Sequence, residues 1–210
     1  VMSASDNIYS ALNDADLVFG KIKDENNKIV NITHGNFTKY MSSKNRNVRK
    51  NAFNTLYKKY KELNNTISSI MNSNLQSSNF IVKTRKYKFP INLYLDSNKI
   101  NENIYYNLIN IVNNNLKSMY KYIDLRSKEL EINKLHMYDM SAKIIDDNNK
   151  NYSFDDAKNI VINALSVLGV NYINDLTNAF NKRWIDIYEN KGKRSGAYSW
   201  GCYRAHPYVL

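Results

Sequence analysis

The sequence predicts a mainly α-helical protein, arranged as a helical bundle or hairpins, with a small N-terminal β-hairpin and short C-terminal strands. Two long stretches carry apolar residues three and four positions apart and contain no Gly or Pro, a pattern typical of amphipathic helices. Short β-branched runs precede the first stretch. The chain has 210 residues with only 6 Gly and 2 Pro, so few positions interrupt a helix.

The N-terminal β-hairpin is predicted from two short segments. Residues 17–23 and 28–33 are rich in β-branched and apolar side chains, and the acidic and amide residues 24–27 lie between them. That order is typical of two strands joined by a turn. His34 and the Gly-Asn pair that follows it predict a second turn, which would close the hairpin.

The first long helical stretch covers about residues 45–80. It is long for one globular helix, so an extended helical hairpin is expected. Residues 83–88 are basic and lead to Pro90, which disfavours helix at the residue before it. This connector predicts a domain boundary, with one domain over residues 1–88 and another over residues 89–210.

The second long helical stretch, residues 101–131, is expected to contain one helix or two helices in register. Its apolar stripe predicts a face that is buried against the rest of the protein. The residues of that face are Ile104, Leu108, Ile111, Val112, Met119 and Ile123.

The C-terminal half alternates between helical and strand-like patterns. Residues 135–140 are short and apolar, and predict either a strand or an extended crossing. Ser153 with Asp156 three positions later is close to a capping box and predicts the start of a helix that Gly169 ends. The remaining expectations are a helix over residues 171–182 and strands over residues 184–188 and 195–203.

Composition excludes several classes of protein. A single Cys excludes a disulfide framework and indicates a reducing cytoplasm. We find no run of about 18 apolar residues and no signal-peptide pattern, so neither a membrane span nor a membrane partner is expected. The formal net charge of +11 would suit a protein that binds nucleic acid, but Lys far outnumbers Arg and Asn is abundant in the composition. Because Arg is the residue that phosphate and base recognition favours, we attribute the charge mainly to an AT-rich genome.

The residues that carry catalysis in other proteins are scattered here. His34, His136 and His206 are far apart in sequence and show no spacing suited to a zinc site. Cys202 has no nearby histidine and is read as a small buried residue. The pair Asp146-Asp147 has the geometry of a turn, and Asp155-Asp156 that of a helix cap, so neither is assigned to acid–base chemistry.

The last twenty residues combine small and aromatic side chains. Gly196 and Ala197 would let another backbone approach closely, and Tyr198, Trp200 and Tyr203 could line a groove. The glycines do not fit a phosphate-binding loop, because no Lys-Ser or Lys-Thr follows at the required position. A tight turn packed on the core is the structural alternative for this region.

Several segments together make the chain resemble the oligoendopeptidase F family of zinc metallopeptidases, relatives of thimet oligopeptidase. The resemblance covers nearly the whole chain, and its last segment, Arg-Trp-Ile-Asp-Ile-Tyr-Glu-Asn-Lys-Gly-Lys-Arg-Ser-Gly-Ala-Tyr-Ser, is long and specific. The matching segments are residues 15–19, 33–35, 47–53, 135–140 and 183–199. The resemblance implies part of a zincin-like oligopeptidase fold, with residues 1–88 similar to the N-terminal domain and residues 89–210 to the opening of the catalytic domain.

The chain departs from that family in one respect that matters for catalysis. The family's zinc helix carries H-E-x-x-H with a later glutamate ligand, and this sequence contains no H-E-x-x-H. We therefore expect a fragment that has no catalytic residue and no metal ligand of its own. Such a fragment is expected to be inactive alone. The resemblance implies that Gly196, Ala197, Tyr198 and Ser199 form a cleft strand that pairs with an extended oligopeptide substrate. Zinc and the catalytic glutamate would belong to the remainder of the catalytic domain.

Two hypotheses therefore stay open from the sequence. The first is a fragment of a cytoplasmic zinc metalloendopeptidase that hydrolyses short oligopeptides, to which this chain contributes the cleft wall and substrate strand. The alternative is a stand-alone basic helical module that binds nucleic acid or an acidic partner, suggested by the net charge and by residues 83–88. An inactive homologue that only binds peptides is a weaker third reading.

Overall fold

The computed structural model describes residues 3–145 and 152–210. The described residues are mainly helical, with two small antiparallel sheets, as the sequence predicts. The chain forms two compact units, Val1–Ile144 and Ile145–Leu210, and each is described by itself. The predicted boundary after residue 88 concerns family domains and stays a prediction.

The first unit contains seven α-helices and one β-hairpin among the residues the structure describes. Helix α1 continues into a wider π-type turn at Ala11–Asp16, and neither is among the elements predicted above. The elements in chain order are α1 (Ala4–Ser10), β1 (Gly20–Lys23), β2 (Ile29–Ile32), α2 (His34–Met41), α3 (Arg46–Glu62), α4 (Asn64–Thr84), α5 (Pro90–Asp96), α6 (Glu102–Asn114) and α7 (Leu116–Glu129).

The predicted hairpin is confirmed. Strands β1 and β2 pair antiparallel, with Gly20 opposite Ile32, and the carboxylate of Asp24 accepts hydrogen bonds from the backbone of Asn26 and Lys28 in the turn. The predicted second turn at His34 is wrong. His34 begins α2, because Thr33 and Asn36 form a reciprocal capping box that satisfies the first turn of a helix.

The hydrophobic core of the first unit lies between the hairpin and α3. It buries Phe19, Ile22 and Ile32 against Ala52 and Leu56 of α3. Gly20 has φ +129°, and a Cβ built there would approach the Cγ2 of Thr55 to 3.2 Å. Glycine therefore serves both the backbone conformation of β1 and its close approach to the helix.

The stretch predicted as helical over residues 45–80 is two successive helices. Leu63 separates α3 from α4, and α4 packs chiefly against α1. The connector to α5 is confirmed: Phe89 is extended with φ −137° and ψ 154°, and Pro90 is the first residue of α5. Proline suits that position because its missing N–H would have no partner within the helix.

Residues 101–131 form two helices, α6 and α7, as the pattern allowed, but the predicted buried face is wrong. Ile104 and Leu108 are 62% and 61% exposed, and Ile111, Val112 and Met119 are also more than half exposed. Only Ile123 of that face is partly buried. The periodicity correctly identified an amphipathic stripe, but the described part of the first unit does not cover it.

The segment that follows α7 is anchored by one buried carboxylate. Residues Met137–Asp139 form a short 3₁₀ turn, so the predicted strand or extended crossing is wrong. The Asp139 side chain is fully buried and accepts hydrogen bonds from Arg46, from Arg49 and from the backbone N–H of His136. The Arg49 side chain is only 2% exposed.

The arginines around Asp139 also bind backbone carbonyls. Arg49 donates to the carbonyl oxygens of Ser43 and Tyr138 at 2.8 and 3.1 Å. Arg126 of α7 donates to the carbonyl oxygens of Asp139 and Ala142 at 2.9 and 2.6 Å. The network therefore ties α3, α7 and the segment after α7 to one another through charge-assisted hydrogen bonds.

Burial alone would raise the pKa of Asp139, because it penalises the charged carboxylate. The hydrogen bonds from Arg46, from the His136 backbone and from Arg49 act in the opposite direction and prevail, so the pKa lies well below its usual range. Asp139 is thus held as a carboxylate whose acceptor atoms are used by neighbours. We assign it a structural role rather than acid–base chemistry.

The second unit contains two helices and a small sheet. Helix α8 (Phe154–Ala164) starts as predicted, with Ser153 and Asp156 in a capping box, and the hydrogen bonds from Ser153 lower the pKa of Asp156. A 3₁₀ turn follows it to Gly169, whose φ of +91° ends the helix. The other elements are α9 (Val170–Asn181), β3 (Ser199–Trp200) and β4 (Tyr208–Val209).

Replacing Asp139 by Asn should lower the free energy of unfolding by about 3 kcal/mol, because Arg49 would be left as a buried charge without its carboxylate. The measurement is urea denaturation at neutral pH. Asp124→Asn is the matched control, since Asp124 is an exposed carboxylate on α7 and should change stability by no more than about 0.5 kcal/mol. Equal effects of the two substitutions would contradict the assignment.

The pH dependence of stability offers a second test of Asp139. Its folded-state pKa is depressed, so its contribution is present above the unfolded-state pKa of about 4 and is lost as pH falls toward the folded-state value. Stability should therefore fall below about pH 4, and Asp139→Asn should flatten that decline. Asp124→Asn should retain the wild-type slope. An unchanged slope in Asp139→Asn would show that other carboxylates cause the decline.

Candidate functional site

The C-terminal sheet is the part of the chain best suited to bind another backbone. Strands β3 and β4 pair antiparallel, with Ser199 opposite Val209 and Trp200 opposite Tyr208. Tyr198 extends the pairing, because its N–H and C=O both hydrogen-bond to Leu210, at 3.0 and 2.9 Å. The sheet is therefore built from the last residues of the chain folding back on the predicted cleft strand.

The other side of β4 is also occupied. The N–H of Val209 donates to the carbonyl of Trp184 at 2.8 Å, and the N–H of Asp186 donates to the carbonyl of Val209 at 2.9 Å. Ile185 and Val209 thus form a parallel bridge, which is all that the structure retains of the strand predicted over residues 184–188. Strand β4 is central, and β3 lies at the edge of the sheet.

The outer edge of β3 presents the backbone groups of Ser199. Hydrogen-bonding direction alternates along an antiparallel strand, and Tyr198 already points its groups toward Leu210. The N–H and C=O of Ser199 therefore point away from β4. Within residues 3–145 and 152–210 they have no hydrogen-bond partner, so this edge can accept another extended chain.

The four residues of the predicted cleft strand lie together before and within β3. Ser199 is its first residue, Tyr198 pairs just before it, and Gly196 and Ala197 precede the sheet, so the strand starts later than predicted. All four are exposed. Gly196 has φ +153°, and a Cβ added there would meet no atom within 4 Å. The approach to the edge is thus open.

Lys193 fixes the loop that leads to this edge. Its ammonium group donates to the carbonyl oxygens of Asp186 and Tyr188 at 3.0 and 2.9 Å, and lies 3.2 Å from the Asp186 carboxylate. The Lys193 side chain is only 16% exposed. One side chain therefore closes the loop between the bridge at Ile185 and the edge strand.

The three histidines occupy three separate aromatic surroundings. His206 stacks on Trp184, with ring centroids 4.7 Å apart, and also contacts Tyr208. His136 stacks on Tyr138. The Nε2 of His34 lies 3.4 Å from the hydroxyl of Tyr60.

Tyr60 belongs to the aromatic surroundings of His34 in the first unit. Its hydroxyl donates to the amide oxygen of Asn13 at 2.7 Å. Burial, with contributions from Tyr9 and Tyr57, raises its pKa to about 12. Tyr60 therefore stays protonated near neutral pH and acts as a hydrogen-bond donor within the packing.

The described residues bring together no three His, Cys, Asp or Glu side chains in an arrangement that could hold a metal ion. We therefore assign no zinc ligand among the described residues. Cys202 is exposed, so the expectation of a small buried residue is wrong. Asp155 is an exposed residue in the first turn of α8, and the pair Asp146-Asp147 lies outside the described residues.

The family model described as "Peptidase family M3" matches residues 39–210. The chain belongs to peptidase family M3. It is 40% identical over 210 residues to "Oligopeptidase PepF" of Bacillus subtilis (strain 168), covering all of this chain and 31% of that protein. It is 37% identical over 204 residues to an "Oligoendopeptidase F homolog" of Borreliella burgdorferi, covering 97% of this chain and 34% of that protein.

Two solved structures are similar to this chain. The oligoendopeptidase-F of Enterococcus faecium is 33% identical, with a TM-score of 0.67 over 87% of this chain and 34% of that chain. A putative oligoendopeptidase F from Bacillus anthracis aligns at a TM-score of 0.80 and 16% identity over 99% of this chain, which supports the fold alone. The chain spans about a third of the length of the curated relatives it matches.

Two further parts of the architecture were missed from the sequence. Strand β4 has only two residues and follows Pro207, so no alternation was long enough to reveal it. The Asp139 network joins residues about 90 positions apart. Its only signal was that residues 47–53 and 135–140 both lie in segments that resemble the family, which did not indicate that they contact each other.

Replacing Lys193 by Met should free the loop before the edge strand, because three contacts of the ammonium group are lost. We expect amide hydrogen exchange over residues 186–197 to accelerate about tenfold, as for the loss of about 1.4 kcal/mol from a charged hydrogen-bonding group. Lys191→Met is the control, since Lys191 is exposed in the same loop and should leave exchange unchanged. Similar exchange in both variants would remove Lys193 from this role.

Proposed function

We propose that this chain is part of a cytoplasmic zinc metalloendopeptidase that hydrolyses short oligopeptides, and that it supplies the cleft wall and the substrate strand. The observation that carries the proposal is the unpaired edge of β3 at Ser199, in a chain that belongs to peptidase family M3. The names of the relatives, oligopeptidase and oligoendopeptidase, support peptides as the substrate class.

The edge strand would bind substrate by β-augmentation. An extended peptide that pairs with the N–H and C=O of Ser199 adds a further strand to the sheet, which fixes its backbone direction and register. Gly196 and Ala197 leave room for that backbone to approach. The contribution of this chain to the reaction is then to position the scissile bond, with loop order supplied by Lys193.

The metal chemistry would reside in the remainder of the catalytic domain. When bound, zinc would supply an activated water for peptide hydrolysis. The residues of this chain hold no proton-transfer role in the proposal: the most perturbed carboxylate, Asp139, is committed to Arg46 and Arg49. On this basis the 210-residue chain alone is expected to be inactive.

Exposed apolar helix faces support the presence of that remainder. In the first unit, α6 and α7 expose Ile104, Leu108 and Met119; in the second, Ile160 and Val170 of α8 and α9 are 52% and 75% exposed. Leaving apolar faces of this extent in water is unfavourable. In a protein about three times as long, as the relatives are, further chain would cover them.

The experiment compares two proteins with one quenched oligopeptide substrate. The protein expressed from the complete gene should cleave it with added zinc, and a chelator should abolish cleavage. The 210-residue chain should show no turnover under the same conditions. Zinc-dependent cleavage by the short chain would contradict the division of labour proposed here, and absence of cleavage by the complete protein would contradict the proposed activity.

A salt titration with single-stranded and double-stranded DNA and with RNA addresses the basic-module alternative. Phosphate binding would appear as an affinity that falls steeply with salt concentration. We expect no such binding at moderate salt, in spite of the exposed basic residues after α4.

No helix among the described residues is both long and apolar enough to span a bilayer.

A further inference from the structure

The edge strand carries two large aromatic side chains that the backbone argument above does not use. Tyr198 and Trp200 lie two positions apart and therefore share one face of the sheet. Their cross-strand partners, Leu210 and Tyr208, lie on the same face. Trp200 is 70% exposed and Tyr198 is 57% exposed. The free backbone edge is thus bordered on one face by two accessible rings.

More than half of each ring-bearing residue is accessible in the described part of the chain. On the same sheet, His206 lies between Trp184 and Tyr208 with centroid distances of 4.7 and 4.6 Å. Neither Tyr198 nor Trp200 contacts another aromatic ring among the described residues. The ring cluster around His206 therefore holds the sheet together, and the rings on β3 are left available to another molecule.

The pairing register between a bound peptide and β3 determines which substrate positions would contact these rings. A peptide residue that pairs with the backbone of Ser199 has its side chain on the Ser199 face, where Ser199 and Ala197 are small. Its two neighbours lie opposite Tyr198 and Trp200 and point to the aromatic face, because side chains alternate along a strand. Cross-strand pairs that include an aromatic ring are favourable.

We propose that Tyr198 and Trp200 are specificity-determining residues that select large apolar side chains at two substrate positions separated by one tolerant position. The inference rests on the proposed function, because it assigns the preference of the same peptide-binding edge. The occupant is an extended peptide with apolar or aromatic residues at alternate positions. Coverage of the rings by another part of the same protein is the competing outcome.

The test uses the protein expressed from the complete gene and a set of peptides of equal length. Each peptide carries Phe or Ser at one position, and kcat/KM is measured for each. Wild type should prefer Phe at two positions separated by one. Trp200→Ser should reduce the preference at one of them about 3- to 5-fold, the range expected for an aromatic cross-strand contact. Trp200→Phe should retain it, and Tyr198→Ser should act at the other position.

Tyr203→Ser is the matched control, since Tyr203 is fully exposed in the turn after the strand. It should leave every preference unchanged. If Trp200→Ser lowers kcat/KM equally for all peptides, Trp200 packs within the protein and the inference is wrong. An unchanged preference in both the Trp200→Ser and Tyr198→Ser variants would overturn it as well.

A binding measurement separates this inference from the proposed activity. If the wild-type protein cleaves no peptide, fluorescence anisotropy of labelled Phe and Ser peptides still reports the edge. If the wild-type protein binds the Phe peptide more tightly than the Ser peptide, and Trp200→Ser abolishes that difference, the inference is supported although the proposed activity fails. No binding of either peptide would overturn both, whereas cleavage without any Phe preference would overturn the inference alone.

Discussion

The first unit depends on one buried carboxylate. The carboxylate oxygens of Asp139 bind Arg46 and Arg49 of α3. Arg126 of α7 binds the carbonyl of Asp139, the last residue of the 3₁₀ turn, and that of Ala142 beyond it. An ion pair removed from water stabilises a structure only when its hydrogen-bonding groups are satisfied. Here the backbone of the 3₁₀ turn supplies much of that satisfaction. The helices and the turn are therefore mutually dependent, and neither arrangement is expected to persist without the other.

The second unit uses a different device to present its backbone. Strands β3 and β4 are only two residues long. Trp184 and Asp186 nevertheless hydrogen-bond to the far side of β4, and Lys193 closes the loop between them and the edge strand. An exposed edge strand is a general liability, since it invites pairing with any extended chain. Under the function proposed above, the same property would be useful, because the pairing that must be avoided elsewhere would orient a substrate.

The contrast between covered and uncovered apolar residues separates local from long-range folding. Around Ala52 the facing residues of the hairpin and α3 bury one another. Along α6 to α9 the helices form with the expected period, but their apolar faces lie exposed in the described residues. Amphipathic period determines where a helix forms, whereas burial requires a partner, and relatives of this chain are about three times as long.

The sequence by itself determined the elements whose signals are local. The Asp24 turn, the capping box of Ser153 with Asp156 and the extended backbone at Phe89 before Pro90 each depend on hydrogen bonds or backbone restrictions within a few residues. Only the tertiary structure decided that Asp139 is buried among arginines and that Leu210 folds back on Tyr198 to leave one edge free. The partners of Asp139 lie about 90 positions away in the sequence. The partner of Tyr198 is Leu210, which lies beside a strand too short to show a pattern. A charge or a two-residue strand shows no periodicity, so its partner is chosen by packing.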